Sequence, residues 1–162
     1  MIKRISLAAI ISVLLFQQAN YSKTLEGLIK FPGKKDSTVF LEVASTDAEK
    51  EKGLMNRPDL ASNRGMVFVF RPSRTVIFWM KDTLISLDII FINRGRVVNI
   101  AKNTVPNQTE TLYPSDKTVT EVVEVNGGFT DNHKIMIGDR IAFENIPQID
   151  YSGMSKLMSV AK

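Results

Sequence analysis

The chain has 162 residues, 44% of them apolar and 23% charged, which suits one domain built around one hydrophobic core. It contains no cysteine, and this excludes disulfides, thiolate metal sites, cysteine nucleophiles and lipid attachment to a cysteine. The formal charge is +4 and the basic residues are scattered along the chain, so we expect no nucleic-acid partner.

The N-terminus has the layout of a secretory signal peptide. Lys3 and Arg4 precede an apolar run at residues 5–16, and small or polar residues follow. The run is shorter than the roughly 20 apolar residues that cross a bilayer, so it does not favour a retained anchor. We predict a signal peptide at residues 1–19, with cleavage after Ala19 or alternatively after Ser22. The mature protein is then expected in the periplasm or outside the cell, without a stable membrane anchor and with a formal charge of +2.

Residues 20–37 are predicted to form an N-terminal segment that contains the first strand of a hairpin. The apolar stretch 28–31 meets Pro32-Gly33. Proline fixes φ and glycine accepts a positive φ, so this pair suits the centre of a type II turn. A strand is predicted next at residues 38–44, where Val39, Leu41 and Val43 alternate with other side chains.

A helix start follows this strand. Thr46 can accept a hydrogen bond from the backbone three residues on, while Glu49 reaches back to the Thr46 N–H, which is the pattern of a capping box. The helix is predicted from Asp47 to about Met55, and Pro58 lies in the connection beyond it.

From Gly65 onward the pattern is that of short β-strands. The segments rich in branched and aromatic residues are 66–70, 75–81, 88–92, 97–101, 119–125 and 140–144. A hairpin is predicted around Asn93 and Gly95, both able to adopt left-handed conformations. Residues 103–116 are predicted to form a loop, and residues 129–134 a short helical turn.

These elements predict a single β-rich domain at residues 38–146. The fold class is mainly β: a compact barrel-like or sandwich domain of about seven short strands with one packed α-helix. Residues 147–162 are predicted to be a C-terminal tail.

Six segments resemble a known family. They are Glu49–Arg57, Gly65–Phe70, Phe78–Thr83, Leu87–Ile92, Val123–Gly128 and Ile137–Asp139. Over residues 40–144 the chain thereby resembles the bacterial and archaeal family called domain of unknown function 192, although Asp82 stands where that family often has asparagine. The resemblance implies a small, mostly β domain that is often exported, and it implies no established activity.

Polar residues near Trp79 form the first candidate site. If Val76, Phe78 and Met80 pack inward on the strand, Trp79 and Lys81 line a second surface. A loop that includes Asp82 and Thr83 can then return Asp88 close to Lys81. A tryptophan face beside an ammonium and a carboxylate suits a sugar or small polar ligand. Alternatively, Lys81 and Asp88 form a partly buried pair that fixes the loop, and Trp79 fills the core.

Glu124 is a second unusual carboxylate, because it lies in an otherwise apolar strand. With Asp88 it can in principle form the acid and base of a glycoside hydrolase, which requires a separation of about 5 to 9.5 Å. A simpler interpretation is that Glu124 accepts a hydrogen bond from Arg57 or Lys81.

The sequence therefore favours a non-enzymatic binding module for a small polar or carbohydrate ligand, or for a protein partner in the cell envelope. The candidate ligand-binding residues are Trp79, Lys81, Asp82, Thr83, Asp88, Glu124 and Arg57. We predict no cofactor, no metal and no catalytic residue, and His133 is the only histidine. Two alternatives stay open: a hydrolase that uses Asp88 and Glu124, and a structural or assembly protein without a ligand.

Overall fold

The structure, a computed structural model, describes residues 26–146. The predicted signal peptide and C-terminal tail lie outside these residues. The elements in chain order are β1 (Glu26–Lys30), β2 (Val39–Ala44), α1 (Asp47–Lys52), β3 (Arg64–Arg74), β4 (Ile77–Phe78), β5 (Leu87–Asn93), β6 (Arg96–Ala101), β7 (Tyr113–Pro114), β8 (Val119–Asn126), α2 (Phe129–Asn132) and β9 (Ala142–Glu144).

Seven strands form one mixed sheet in the order β6-β5-β8-β3-β2-β1-β9, which curls into a half-barrel. All neighbours are antiparallel except β2 and β3, which run parallel because α1 and the following loop carry the chain back to the start of β3. β4 and β7 form a separate two-stranded ribbon. The predicted mainly β fold is thus confirmed.

The sheet has an apolar core on each face. The first core includes Leu41, Val67, Ile90 and Val123, all fully buried. The second core lies on the opposite face, since its members alternate with those of the first along each strand. It includes Met66, Phe68, Phe70, Ile89, Phe91 and Val122. Because both faces are covered, the central strands are almost continuously apolar.

The turn and capping predictions are confirmed. Gly33 has φ 80°, and the Lys34 N–H donates to the Phe31 carbonyl at 3.0 Å, which closes the turn. At the start of α1, the Glu49 N–H donates to Thr46 Oγ1 at 3.2 Å and the Thr46 N–H donates to Glu49 Oε2 at 2.8 Å. None of the residues of α1 is buried, so these caps rather than an apolar face hold the helix in place.

Two predicted element bounds and one predicted turn residue were wrong for local reasons. α1 ends at Lys52 rather than near Met55, because Gly53 takes φ 46° and leaves the helical conformation. In the hairpin between β5 and β6, Arg94 and Gly95 have positive φ, rather than Asn93. The strand predicted at 75–81 shortens to β4, which pairs with β7 and not with the main sheet.

Replacing Thr46 with alanine is expected to lower the free energy of unfolding by about 1 kcal/mol. The change removes the side-chain oxygen that accepts the Glu49 N–H and breaks one half of the capping box. Chemical denaturation measures the effect. Thr111→Ala, in the exposed loop before β7, is the control, and an equal midpoint for both variants would contradict the prediction.

Within residues 26–146, no helix is long and apolar enough to cross a membrane.

Candidate functional site

A row of four paired residues crosses the second face of the sheet. Glu42 of β2 pairs with Met66 of β3, Met66 pairs with Glu124 of β8, and Glu124 pairs with Ile89 of β5. Cross-strand partners point to the same side of a sheet. Two carboxyl groups, from Glu42 and Glu124, therefore lie on this otherwise apolar face with one strand between them.

Glu42 is neutralised by Arg57. The guanidinium donates two hydrogen bonds to its carboxylate, at 2.5 and 2.7 Å. These bonds, opposed by partial burial, lower the pKa of Glu42 and raise that of Arg57. The predicted hydrogen bond from Arg57 to Glu124 was therefore wrong: Arg57 is engaged by Glu42 and affects Glu124 only through its charge.

Glu124 is buried without such a partner. The residue is 5% exposed, and none of the described residues forms a hydrogen bond with its carboxyl group. Burial raises the pKa of Glu124 to about 8, although the nearby positive charge of Arg57 acts to lower it. At pH 7 the carboxyl is therefore mostly protonated, and it can donate a hydrogen bond as well as accept one.

Glu124 lines a cavity of about 470 Å³ that lies beside α1. Its apolar walls include Leu54, Phe68 and Phe78, and the Phe68 and Phe78 rings meet edge to face at 5.1 Å between centroids. The volume lies within the range of small-molecule sites, about 300 to 1,000 Å³. Because Glu124 is buried while much of the α1 lining is exposed, its carboxyl marks the inner end of the cavity.

Gly53 forms the wall next to this carboxyl. Its backbone φ of 46° is a value that residues other than glycine rarely adopt. A Cβ added here would lie 3.3 Å from the Phe68 ring and 3.8 Å from Glu124 Oε2. Glycine thus allows α1 to end against the cavity without filling it.

Cations surround the exposed mouth of the cavity. Lys50 Nζ lies 5.6 Å from the centroid of the Phe70 ring, and the Arg74 guanidinium lies 5.2 Å from the same centroid. Lys81 Nζ lies 5.6 Å from the centroid of the Trp79 ring. These distances permit cation–π attraction, which places the charges of Lys50 and Arg74 at the cavity lining and that of Lys81 beside Trp79.

Among the predicted site residues, the structure brings Trp79, Thr83 and Glu124 together as cavity lining. Trp79 is 44% exposed, so it does not fill the core. Thr83 is buried, and its hydroxyl donates to the Lys81 carbonyl at 3.1 Å. Asp82 has φ 52°, a left-handed conformation that aspartate and asparagine tolerate better than most residues.

The predicted pairing of Lys81 with Asp88 was wrong. Asp88 is fully buried, and its carboxylate accepts four hydrogen bonds: from the N–H groups of Asn103, Gly128 and Thr130, at 2.8, 3.1 and 2.8 Å, and from the Thr130 hydroxyl at 2.6 Å. No ion pair involves Lys81 in the described part of the chain, and its side chain is exposed beside Trp79. Asp88 is thus a structural group that ties β5 to the residues after β6 and β8.

The hydrolase pair of Asp88 and Glu124 was also wrong. Asp88 pairs with Val125, whereas Glu124 pairs with Ile89. Since successive residues of a strand point to opposite faces, the two carboxyl groups lie on opposite sides of the sheet. They cannot flank one substrate.

The sequence interpretation missed the part of the site that α1 and the end of β3 contribute. Lys50, Gly53, Phe68, Phe70 and Arg74 all line the cavity, yet none was a candidate. The one sequence signal for this part of the site was a glycine, Gly53, that ends a helix among charged residues within the segment Glu49–Arg57.

A comparison with models of protein families identifies the family of this chain. The sequence model of domain of unknown function 192 (DUF192), described as "Uncharacterized ACR", matches residues 29–143. The chain belongs to this family. The matched DUF192 region, residues 29–143, includes strands β2 to β8 and therefore every cavity residue named above. A comparison with curated proteins finds no significant match.

Two solved structures resemble this DUF192 chain. One is a crystal structure from Sinorhizobium meliloti 1021, named a "putative transcription regulator", with 31% identity and a TM-score of 0.67 over 73% of this chain and 92% of that one. The other is a protein of unknown function from Novosphingobium aromaticivorans DSM 12444, with 37% identity and a TM-score of 0.63 over 72% of this chain and 83% of that one.

Proposed function

We propose that this chain is an exported, non-enzymatic binding module of the cell envelope that holds one small ligand in the cavity above Glu124. The observation that carries the proposal is the Glu124 carboxyl, which is buried, open to the cavity and without a hydrogen-bond partner among residues 26–146. Because the carboxyl is open to the cavity, it is available to a ligand there, and a single polar group at the inner end of an apolar pocket can fix a ligand's orientation. A ligand atom that accepts a hydrogen bond from this group would use it.

The cavity supports a binding role better than a catalytic one. Glu42, the other carboxylate of the paired row on this face of the sheet, is held by two hydrogen bonds to Arg57, so Glu42 is not free to act as a second acid or base beside Glu124. The lining combines aromatic walls with charged side chains from α1 and β3, so it can contact both the apolar and the polar parts of a small molecule. Export is supported by the signal-peptide pattern of residues 1–19.

The name of the Sinorhizobium protein raises DNA binding as an alternative. A charge of +4, or +2 without residues 1–19, spread over the sequence does not favour it, since DNA-binding proteins gather lysine and arginine on one face. We therefore do not extend that name to this chain.

A thermal-shift screen of the mature protein against a library of small amphipathic compounds tests the binding role. We expect compounds that stabilise the wild type, with a gain of about 2.7 kcal/mol at 100 times the dissociation constant. Glu124→Leu removes the hydrogen-bonding group and is expected to abolish these shifts, whereas Glu124→Gln, which can still donate, is expected to retain them.

The matched control is Glu144→Leu, the same substitution in β9, outside the cavity lining. It should leave the ligand-induced shifts unchanged. Shifts that survive Glu124→Leu at full size, or a library without any stabilising compound, would contradict the proposed binding site.

A further inference from the structure

The charges around the cavity restrict the kind of ligand it can take. Besides Glu124, its charged lining residues are Asp47, Lys50, Glu51, Lys52 and Arg74. With Glu124 protonated, three cations face two carboxylates. The Asp47 side chain is 99% exposed, while that of its neighbour Lys50 is 17% exposed, so the ammonium lies inward and the carboxylate outward. The mouth is therefore positive.

Two of these cations lack a strong partner in the described part of the chain. Lys50 contacts Asp47 at 3.9 Å, near the limit of an ion pair, and Arg74 forms no ion pair or side-chain hydrogen bond with residues 26–146. Both lie against the same Phe70 ring. An anionic group placed beside this ring is thus attracted by both charges.

The same geometry disfavours a cationic ligand. Aromatic rings in a cavity commonly recognise ligand ammonium groups, but here Phe70 and Trp79 already contact cations of the protein itself. A ligand cation near these rings would meet charges of its own sign. The Glu124 carboxyl, mostly protonated at pH 7, offers no full negative charge to attract it.

We infer that the ligand is an amphipathic organic carboxylate. Its apolar body lies against Phe68 and Phe78, its carboxylate is attracted to the mouth by Lys50 and Arg74, and an acceptor at its other end accepts a hydrogen bond from the Glu124 carboxyl. This inference rests on the proposed function and adds the charge and orientation of the ligand.

The test uses three compounds that share one skeleton: 4-acetylphenylacetate, its primary amide, and 2-(4-acetylphenyl)ethylamine. Calorimetric titration of the mature protein at pH 7 is expected to give about tenfold tighter binding for the carboxylate than for the amide, because two partly exposed ion pairs are each worth a few-fold. The amine is expected to bind more weakly than the amide.

The double variant Lys50→Gln/Arg74→Gln is expected to remove the preference for the carboxylate, because it weakens the binding of the carboxylate more than that of the amide. The control is Lys102→Gln, which alters a lysine outside the cavity lining that pairs with Asp131. It should keep the preference. A preference that survives the double variant, or amide or amine binding as tight as that of the carboxylate, would overturn the inference.

The two proposals fail in different ways. Binding of the amide that Glu124→Leu abolishes, without any preference for the carboxylate, supports the cavity as a ligand site and rejects an anionic ligand. If none of the three compounds binds, the carboxylate inference fails. If the wider library also gives no shift that depends on Glu124, the proposed function fails with it.

Discussion

Replacing Glu124 with glutamine is expected to make the protein more stable than the wild type at pH 8 by several kcal/mol, but not at pH 4. The pKa of Glu124 is about 8 in the folded protein, against an ordinary value of 4.5 in the unfolded chain. Between these values the unfolded state has released a proton that the folded state retains. The contribution of Glu124 to the free energy of unfolding is therefore fully present below pH 4.5. It falls by roughly 1.4 kcal/mol per pH unit as the pH rises, and it levels off above about pH 8.

Chemical denaturation of both proteins at a series of pH values measures this difference. The difference between the two proteins isolates the titration of Glu124, because all other titratable groups are present in both and their contributions cancel. The matched control is Glu144→Gln, because Glu144 is a half-exposed carboxylate of β9 that pairs with Lys30. The stability of this variant should follow that of the wild type at each pH, within the small effect of a surface ion pair. Stability curves for the wild type and Glu124→Gln that run parallel from pH 4 to 8 would show that Glu124 titrates normally.

Replacing Asp88 with alanine is expected to lower the free energy of unfolding by about 3 kcal/mol or more. The carboxylate accepts four hydrogen bonds in a fully buried site, and hydrogen bonds to charged groups contribute about 1.5 to 3 kcal/mol each. Its loss would leave the N–H groups of Asn103, Gly128 and Thr130 without an acceptor. Urea unfolding, with retention of the native circular dichroism spectrum as a check on folding, gives the value.

Lys81→Ala is the matched comparison for Asp88→Ala. It tells whether Asp88 stabilises the fold through its own hydrogen bonds or through an ion pair with Lys81. Lys81 is exposed and contacts Trp79, so its removal is expected to change stability by less than about 0.5 kcal/mol. The double variant is expected to show additive effects. A coupling energy above about 1 kcal/mol between the two positions would contradict the assignment of Asp88 to Thr130 and its neighbours.

Features set by neighbouring residues could be predicted from the sequence. The capping box at Thr46 needs only two side chains three residues apart, and the turn at Gly33 needs only one positive φ. The inward packing of Val76, Phe78 and Met80 was also predictable, since it follows from strand alternation; Met80 is fully buried and the outward Ile77 is 65% exposed.

The site itself could not be predicted in full, because it depends on pairing between distant strands. Asp88 and Glu124 come from neighbouring strands, and a shift of one residue in their register would exchange the faces of the sheet that they occupy. The contact of Lys50 and Arg74 with one Phe70 ring likewise needs the folded positions of α1 and the end of β3. The sequence therefore identified Glu124 as unusual but did not reveal its surroundings.

Amide NMR of the mature protein with a stabilising compound tests most directly whether the cavity above Glu124 is the ligand site. We expect the largest chemical-shift changes at Gly53, Phe68 and Glu124, which line the cavity, and little change at Asn103 and Thr130, which surround Asp88 on the other face of the sheet. The largest changes at Asn103 and Thr130, with none at the three cavity residues, would contradict it.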